Sequence, residues 1–157
     1  MASRSSELSV GLISDTHGLM RPEALEALAG SRCIVHAGDI GHPGVLEQLA
    51  RVAPVTAVRG NNDTGRWASA LKETEILQVE KTRILVIHDL ASLQLDPEAA
   101  GYDVVVAGHS HRPREELRGG VLFVNPGSAG PRRFKLPVAV AKLRVREARV
   151  RFELVEL

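Results

Sequence analysis

Seven side chains able to bind a metal ion stand at the ends of apolar runs in this sequence: Asp15, His17, Asp39, Asn61, His88, His109 and His111. Asp15 and His17 lie in Ser-Asp-Thr-His, Asp39 in Gly-Asp, Asn61 in Gly-Asn-Asn-Asp, His88 in His-Asp, and the last two in Gly-His-Ser-His. Four imidazoles and three oxygen donors, with no thiolate, are too many for one ion and suit two. Mixed nitrogen and oxygen donors favour manganese, iron, zinc, cobalt or nickel, whereas calcium and magnesium prefer all-oxygen sites. Asp39, alone at its strand end, is the natural carboxylate to bridge two ions. Asp15 with His17, and His109 with His111, are spaced i, i+2, which in extended backbone turns both members of a pair to one side.

Such residues meet only if the chain gathers the ends of distant strands. Leu8 to Ile13 reads as a strand, and Pro22, the apolar positions Ala24, Leu25, Leu28 and Ala29, and Gly30 start, pattern and stop a helix. Cys33 to Ala37 is a second strand, Pro43 opens a second helix that Pro54 ends, and Val55 to Val58 is a third strand. Strands alternating with helices imply right-handed crossovers and a parallel sheet. Ligands of open α/β sheets bind beyond the carboxyl ends of the strands, so these ends can share one cleft. Trp67 falls in a loop or short helix. Farther on, Glu75–Val79 and Arg83–Ile87 form an expected hairpin, Asp96–Ala100 a short helical segment, and Asp103–Ala107 and Val121–Val124 further strands. Two final strands, Val138–Arg146 and Arg149–Leu157, meet near Glu147 and Ala148. No internal repeat or linker divides residues 1–157, which read as one domain.

In this order, D-x-H, G-D, G-N-x-D, H and G-H-x-H resemble the calcineurin-like metallophosphoesterase family, and the Asn125-Pro126-Gly127-Ser128 loop resembles its small bacterial and archaeal phosphodiesterase branch. The resemblance covers effectively the whole chain. It implies an α/β fold, a four-layer α/β/β/α sandwich of two mixed sheets. It also implies a site in which Asp15, His17 and His111 hold one divalent ion, Asn61, His88 and His109 hold a second, and Asp39 bridges them. Manganese is the preferred metal, with nickel, cobalt, iron and zinc as alternatives. The reaction implied is phosphodiester hydrolysis by a hydroxide shared between the ions, which needs no serine or cysteine nucleophile.

The residues around these ligands carry further expectations. Asp63 is expected to orient the loop by accepting backbone N–H groups. Many phosphatases of the family have a histidine where this chain has Asn62, and that histidine can protonate the leaving oxygen. An asparagine can contact phosphate or leaving group but cannot supply a proton, which favours diesters with stabilised leaving groups. His42, beyond Asp39, is a weaker choice for a proton donor or phosphate contact, set against an exposed loop histidine. His36 reads as a satisfied interior residue, and Arg59 and Arg112 as surface arginines beside the motifs. The family commonly has glycine after its histidine at the position of His88, where this chain has Asp89. That carboxylate is open to three readings: bonding to a ligand histidine, narrowing the pocket, or pointing away.

Composition sets the outer limits. Net charge is +1, from 20 basic and 19 acidic residues, so no global field attracts nucleic acid or an anionic membrane. The basic C-terminal region, Arg132 to Arg151, alternates with apolar residues and reads chiefly as solvated strand faces. The one cysteine, Cys33, excludes an intrachain disulfide and fits a reducing cytoplasm, where it reads as a small buried hydrophobe. The N-terminal Met-Ala-Ser-Arg-Ser-Ser-Glu is followed by no apolar stretch of signal or membrane-spanning length, so a soluble, unprocessed cytoplasmic protein is expected. The expected partner is a small phosphodiester, with no nucleic-acid or membrane signature, and oligomeric state is not legible. The alternative is a catalytically weak or inactive protein-binding scaffold of the same fold, since the retromer sorting complex contains such a subunit.

Overall fold

The computed structural model describes residues 6–157. The expectation of an unprocessed N-terminus rests mainly on residues 1–5, which lie outside the described residues.

The first sheet has the order β10-β9-β1-β2-β3, with β1 Leu8–Ile13, β2 Cys33–His36, β3 Val55–Ala57, β9 Ala139–Arg146 and β10 Arg149–Glu156. Here β1, β2 and β3 are parallel, and β9 returns antiparallel beside β1. Helices α1 (Pro22–Leu28) and α2 (Pro43–Ala50) make the crossovers, each opened by its proline. Alternation along β1 divides its side chains. Val10 and Leu12 face the second sheet, while Ile13 joins Ala24, Leu28, Val45 and Leu49 under the helices. Gly11 lies on that helix side because a Cβ there would come within 2.8 Å of Leu28 Cδ2, so its absence lets α1 settle on the sheet.

The second sheet has the order β4-β5-β6-β8-β7, with β4 Thr74–Val79, β5 Thr82–Ile87, β6 Val104–Val106, β7 Arg114–Arg118 and β8 Val121–Asn125. Its inner face sets Ile84, Val86, Val104, Val106 and Val124 against Val10, Leu12 and Val35 of the first sheet. Burial of each such side chain contributes about 1.5–3 kcal/mol before the cost of ordering the chain. Both sheets are mixed and packed face to face, as expected.

The fourth layer is thin. Leu85, Ile87, Val105 and Phe123 on the outer face of the second sheet are covered by Tyr102, Leu90 and Leu93, from short segments rather than a long helix. The expected helical segment at Asp96–Ala100 is a turn, with Ala100 N–H on Asp96 O and Tyr102 N–H on Pro97 O, and it is too short to continue. The helical turn nearby is Leu90–Ser92, a 3-10 turn capped by Asp89. Strand β7 was not expected. Its REELR sequence is almost wholly exposed, so no apolar alternation marks it, and its charges suit an edge strand.

Candidate metal centre

Parallel pairing brings the carboxyl ends of β1, β2 and β3 side by side in one sheet, and those of β5, β6 and β8 in the other. Hydrogen bonds stitch the two rows together. His88 Nδ1 lies 2.7 Å from Ala37 O, His109 N–H donates to Asp15 Oδ2 at 3.1 Å, and Ser128 Oγ donates to Asp15 O at 3.0 Å.

Five of the seven expected ligands, Asp15, His17, Asp39, His109 and His111, have φ between 47° and 71°. The expectation of extended backbone for the two i, i+2 pairs is therefore corrected: left-handed turns just past the strands direct these side chains. Non-glycine residues hold that conformation only where surrounding contacts impose it, and such positions concentrate at functional sites. Gly38, with φ 102°, completes the β2 turn, where a Cβ would lie 2.6 Å from His88 Nδ1.

The expected ligands fall into two groups, Asp15 with His17 and His111, and Asp39 with His88 and His109. In the first, His111 Nε2 is 3.4 Å from His17 Nε2 and 3.4 Å from Asp15 Oδ1. In the second, His88 Nε2 is 3.3 Å from Asp39 Oδ2 and 3.0 Å from Asn61 Oδ1. Asp39 Oδ2 also lies 3.9 Å from His17 Nε2, which sets its carboxylate between the groups. Asp15, Asp39, His88 and His111 are buried, whereas Asn61 and His109 are exposed at the mouth.

Divalent ions fit this donor set. Asp15 is fully buried, yet among the described residues Oδ1 has no hydrogen-bond partner, and it faces His111; Oδ2 takes the Ser14 hydroxyl at 2.7 Å. A buried carboxylate oxygen left without a donor is costly unless a cation meets it. His88 Nδ1 meets the Ala37 carbonyl, which aims Nε2 at the Asp39 and Asn61 oxygens, the orientation of a histidine that binds metal. The 3.4 Å edges of the first group match the roughly 3.3 Å between ligand atoms expected around a tetrahedral ion with bonds of about 2.0–2.1 Å.

The charges respond to the same crowding. Burial raises the Asp15 carboxyl, partly countered by the Ser14 hydrogen bond and nearby imidazoles. Burial also pushes Asp39 upward, but hydrogen bonds from His88 and the Asn62 backbone, with the charges of His88 and His17, outweigh it and hold Asp39 at about 2. For His88, burial lowers the value, but the hydrogen bonds to Asp39 and Ala37 and the charges of Asp15 and Asp39 outweigh it, so the net direction is up. His36 is fully buried, and burial followed by the charge of His88 lowers it to about 3. Its Nδ1 accepts Gly38 N–H at 3.1 Å; Nε2–H then donates to Thr16 Oγ1 at 3.0 Å, whose hydroxyl passes to Ile40 O. His36 is a satisfied interior residue.

Around the groups, Asp63 accepts the N–H of Gly41 and of Gly60, each at 2.9 Å, and so clamps two loops. Asn62 turns inward: its N–H and Nδ2 donate to Asp39 at 2.9 and 3.2 Å. His42 joins neither group, and its Nδ1 accepts Gly44 N–H as the cap of α2. Asp89 Oδ1 accepts Ala91 N–H, and its Oδ2 lies 3.8 Å from His109 Nε2. Arg112 is exposed and Arg59 pairs with Glu73 at 3.3 Å, while Arg144 and Arg151 pair with acidic partners on the outer strands. Sequence reasoning did not single out Ser14, whose hydroxyl fixes Asp15, and a serine preceding a motif aspartate was the available signal.

A calcineurin-like phosphoesterase superfamily domain matches residues 8–148. The chain belongs to that superfamily. A probable metallophosphoesterase of Methanothermobacter thermautotrophicus is 33% identical over 131 residues, covering 76% of each chain. The phosphodiesterase YfcE of Escherichia coli K12 is 32% identical over 146 residues, covering 73% of this chain and 76% of its own. The fold is shared with Vps29 of Chaetomium thermophilum, at TM-score 0.77 and 16% identity over 96% of this chain and 97% of that one. No helix among the described residues is long and apolar enough to cross a membrane.

Proposed function

We propose that this phosphoesterase-family chain is a dinuclear metal-dependent phosphodiesterase. The observation that carries the reading is the pair of ligand groups with Asp39 between them, beside a buried Asp15 oxygen that lacks a donor. Asp15, His17 and His111 would hold one ion, Asn61, His88 and His109 the other, and Asp39 both. Two divalent ions, when bound, supply a water deprotonated near neutral pH and positive charge for the phosphoryl oxygens during in-line displacement. Manganese is our choice of metal, with nickel, cobalt, iron and zinc compatible with the same donors.

The chain's own residues do the rest. Ser14 and the His109 N–H hold Asp15 in one rotamer, and the Ala37 carbonyl fixes the His88 tautomer. Asp63 ties the Asn61 loop to the loop after Asp39. Asn62 braces Asp39 and is the residue we assign to the leaving-group side, where it donates a hydrogen bond but no proton. That limitation favours diesters whose departing oxygen is already stabilised, because general-acid help is typically about 10²–10⁴-fold where it exists. His42 remains a weaker assignment for a phosphate contact through its free Nε2. A reducing cytoplasm is the compartment that the single Cys33 favours, and we read residues 1–157 as one domain that carries the site.

A second reading, a protein-binding scaffold, draws support from the likeness to Vps29. Asp39→Asn separates the two. We expect it to remove at least one ion and to lower phosphodiester turnover by about 10³-fold or more, as loss of metal-based activation does. Metal content by mass spectrometry and turnover with excess manganese provide the check, and undiminished turnover would refute the bridging role.

A further inference from the structure

Between the outer side of the β4–β5 hairpin and the segment after His88 runs a cleft of about 820 Å³, whose inner end is formed by Asn61, His88 and Asp89. Beyond that end its walls are mixed: Ile76, Leu93 and Leu95, with the edges of Leu85, Ile87 and Tyr102, give apolar surface, and Thr74, Ser92 and Gln94 give uncharged polar groups. Ile76 is 57% and Leu95 44% exposed, although both are large hydrophobics. Lining a ligand-sized cleft accounts for the exposure of both.

The charged groups of the cleft do not balance. Arg59 and Glu73 pair with each other at 3.3 Å, so their charges cancel. Asp63 spends both oxygens on backbone N–H groups. Asp89 keeps a charge toward the site: Oδ1 caps the 3-10 turn, but Oδ2 faces His109 Nε2 at 3.8 Å, and the side chain is 40% exposed. It lines both this cleft and a smaller pocket of about 130 Å³ beside His109.

We propose that the cleft holds one ester group of the substrate, that this group is uncharged and presents an apolar face, and that Asp89 at the inner end disfavours a doubly charged phosphoryl group. The inference rests on the phosphodiesterase reading. A diester brings two organic groups and one negative charge, so one group needs room beside the ligand residues, and this cleft supplies it. A monoester brings one organic group and close to two charges at neutral pH, because its second pKa is about 6. The additional charge meets the Asp89 carboxylate. Glycine at that position would leave the cleft open but remove the discrimination by charge.

The test is calorimetric binding of phosphinates and phosphonates that contain no hydrolysable P–O–C bond to manganese-loaded protein, with the manganese content of every variant measured. Methyl(phenyl)phosphinate, a monoanion like a diester, should bind about tenfold more tightly than dimethylphosphinate, through burial of its ring. Ile76→Ser and Leu95→Ser should each cut that advantage to about threefold or less, through lost apolar contact, without changing the affinity for dimethylphosphinate. Asp89→Asn should tighten binding of dianionic phenylphosphonate about fivefold or more, and leave methyl(phenyl)phosphinate within about twofold. Equal affinity for the two phosphinates, or an advantage untouched by both cleft variants, would overturn the subsite. Equal tightening of monoanion and dianion by Asp89→Asn would overturn the role given to its charge. The inference and the activity can fail separately: diester turnover with no ester-group preference removes only the inference, whereas these binding preferences without turnover remove only the activity.

Discussion

The neutral, fully buried His36 gives the residue scale its clearest measurable consequence. Its value in the fold is about 3, against an ordinary 6.5 in the unfolded chain. Between those values the unfolded chain carries a proton that the fold refuses, because burial strips water from the charged ring and His88 repels it; protonation would also cost the acceptor that Nδ1 offers Gly38. Its contribution is complete above pH 6.5 and falls as the pH is lowered toward 3. His36→Gln should therefore flatten the acid dependence by up to about 1.4 kcal/mol per pH unit in that window. Denaturant unfolding at pH 7, 6 and 5 measures the slope; a variant whose slope equals that of the parent would show that His36 is not the group responsible. Asn62 supplies a second test at this scale. Asn62→His should restore a proton donor and raise the monoesterase to diesterase ratio by about tenfold or more. A ratio that does not move in matched aryl substrates would mean that the missing acid does not set the preference.

At the scale of elements, what positions the site is the set of turns where strands end, and these were only partly legible in the sequence. Strand ends and ligand types could be read from Ser-Asp-Thr-His, Gly-Asp and Gly-His-Ser-His because apolar runs stop abruptly there. The backbone form of those turns could not, since nothing local distinguishes an extended i, i+2 pair from the left-handed aspartates and histidines observed. Strand β7 escaped because a charged edge strand has no buried face to impose alternation, and the turn at Asp96–Ala100 was over-read because helix signals there outlast the space available. The cleft escaped for a related reason: Ile76 and Leu95 look like ordinary strand and loop residues until β4 and the segment after His88 face each other. Gly38 tests the turn argument. Gly38→Ala should destabilise the fold by about 1–3 kcal/mol through left-handed strain and overpacking, and should weaken manganese binding by pressing His88 away from Ala37. Unfolding midpoint and manganese affinity are the readouts, and parental values of both would show that the turn has slack.

Across the whole molecule, two mixed sheets with an apolar interface between them hold six neighbouring strand ends in register, and the ligand groups sit on that rim. A rigid frame with side chains converging from both sheets is what two-ion catalysis demands, because each ion must stay fixed while the phosphoryl group moves. The fold is also that of Vps29, so architecture does not decide between hydrolase and scaffold; the site's chemistry must. The direct test is hydrolysis of an aryl phosphodiester and its matching monoester by chelator-stripped protein, before and after manganese is restored. We predict negligible turnover without metal and diesterase activity exceeding monoesterase activity with it. Ions bound at both groups, yet no turnover with manganese, nickel, cobalt or zinc, would contradict the account and favour the scaffold.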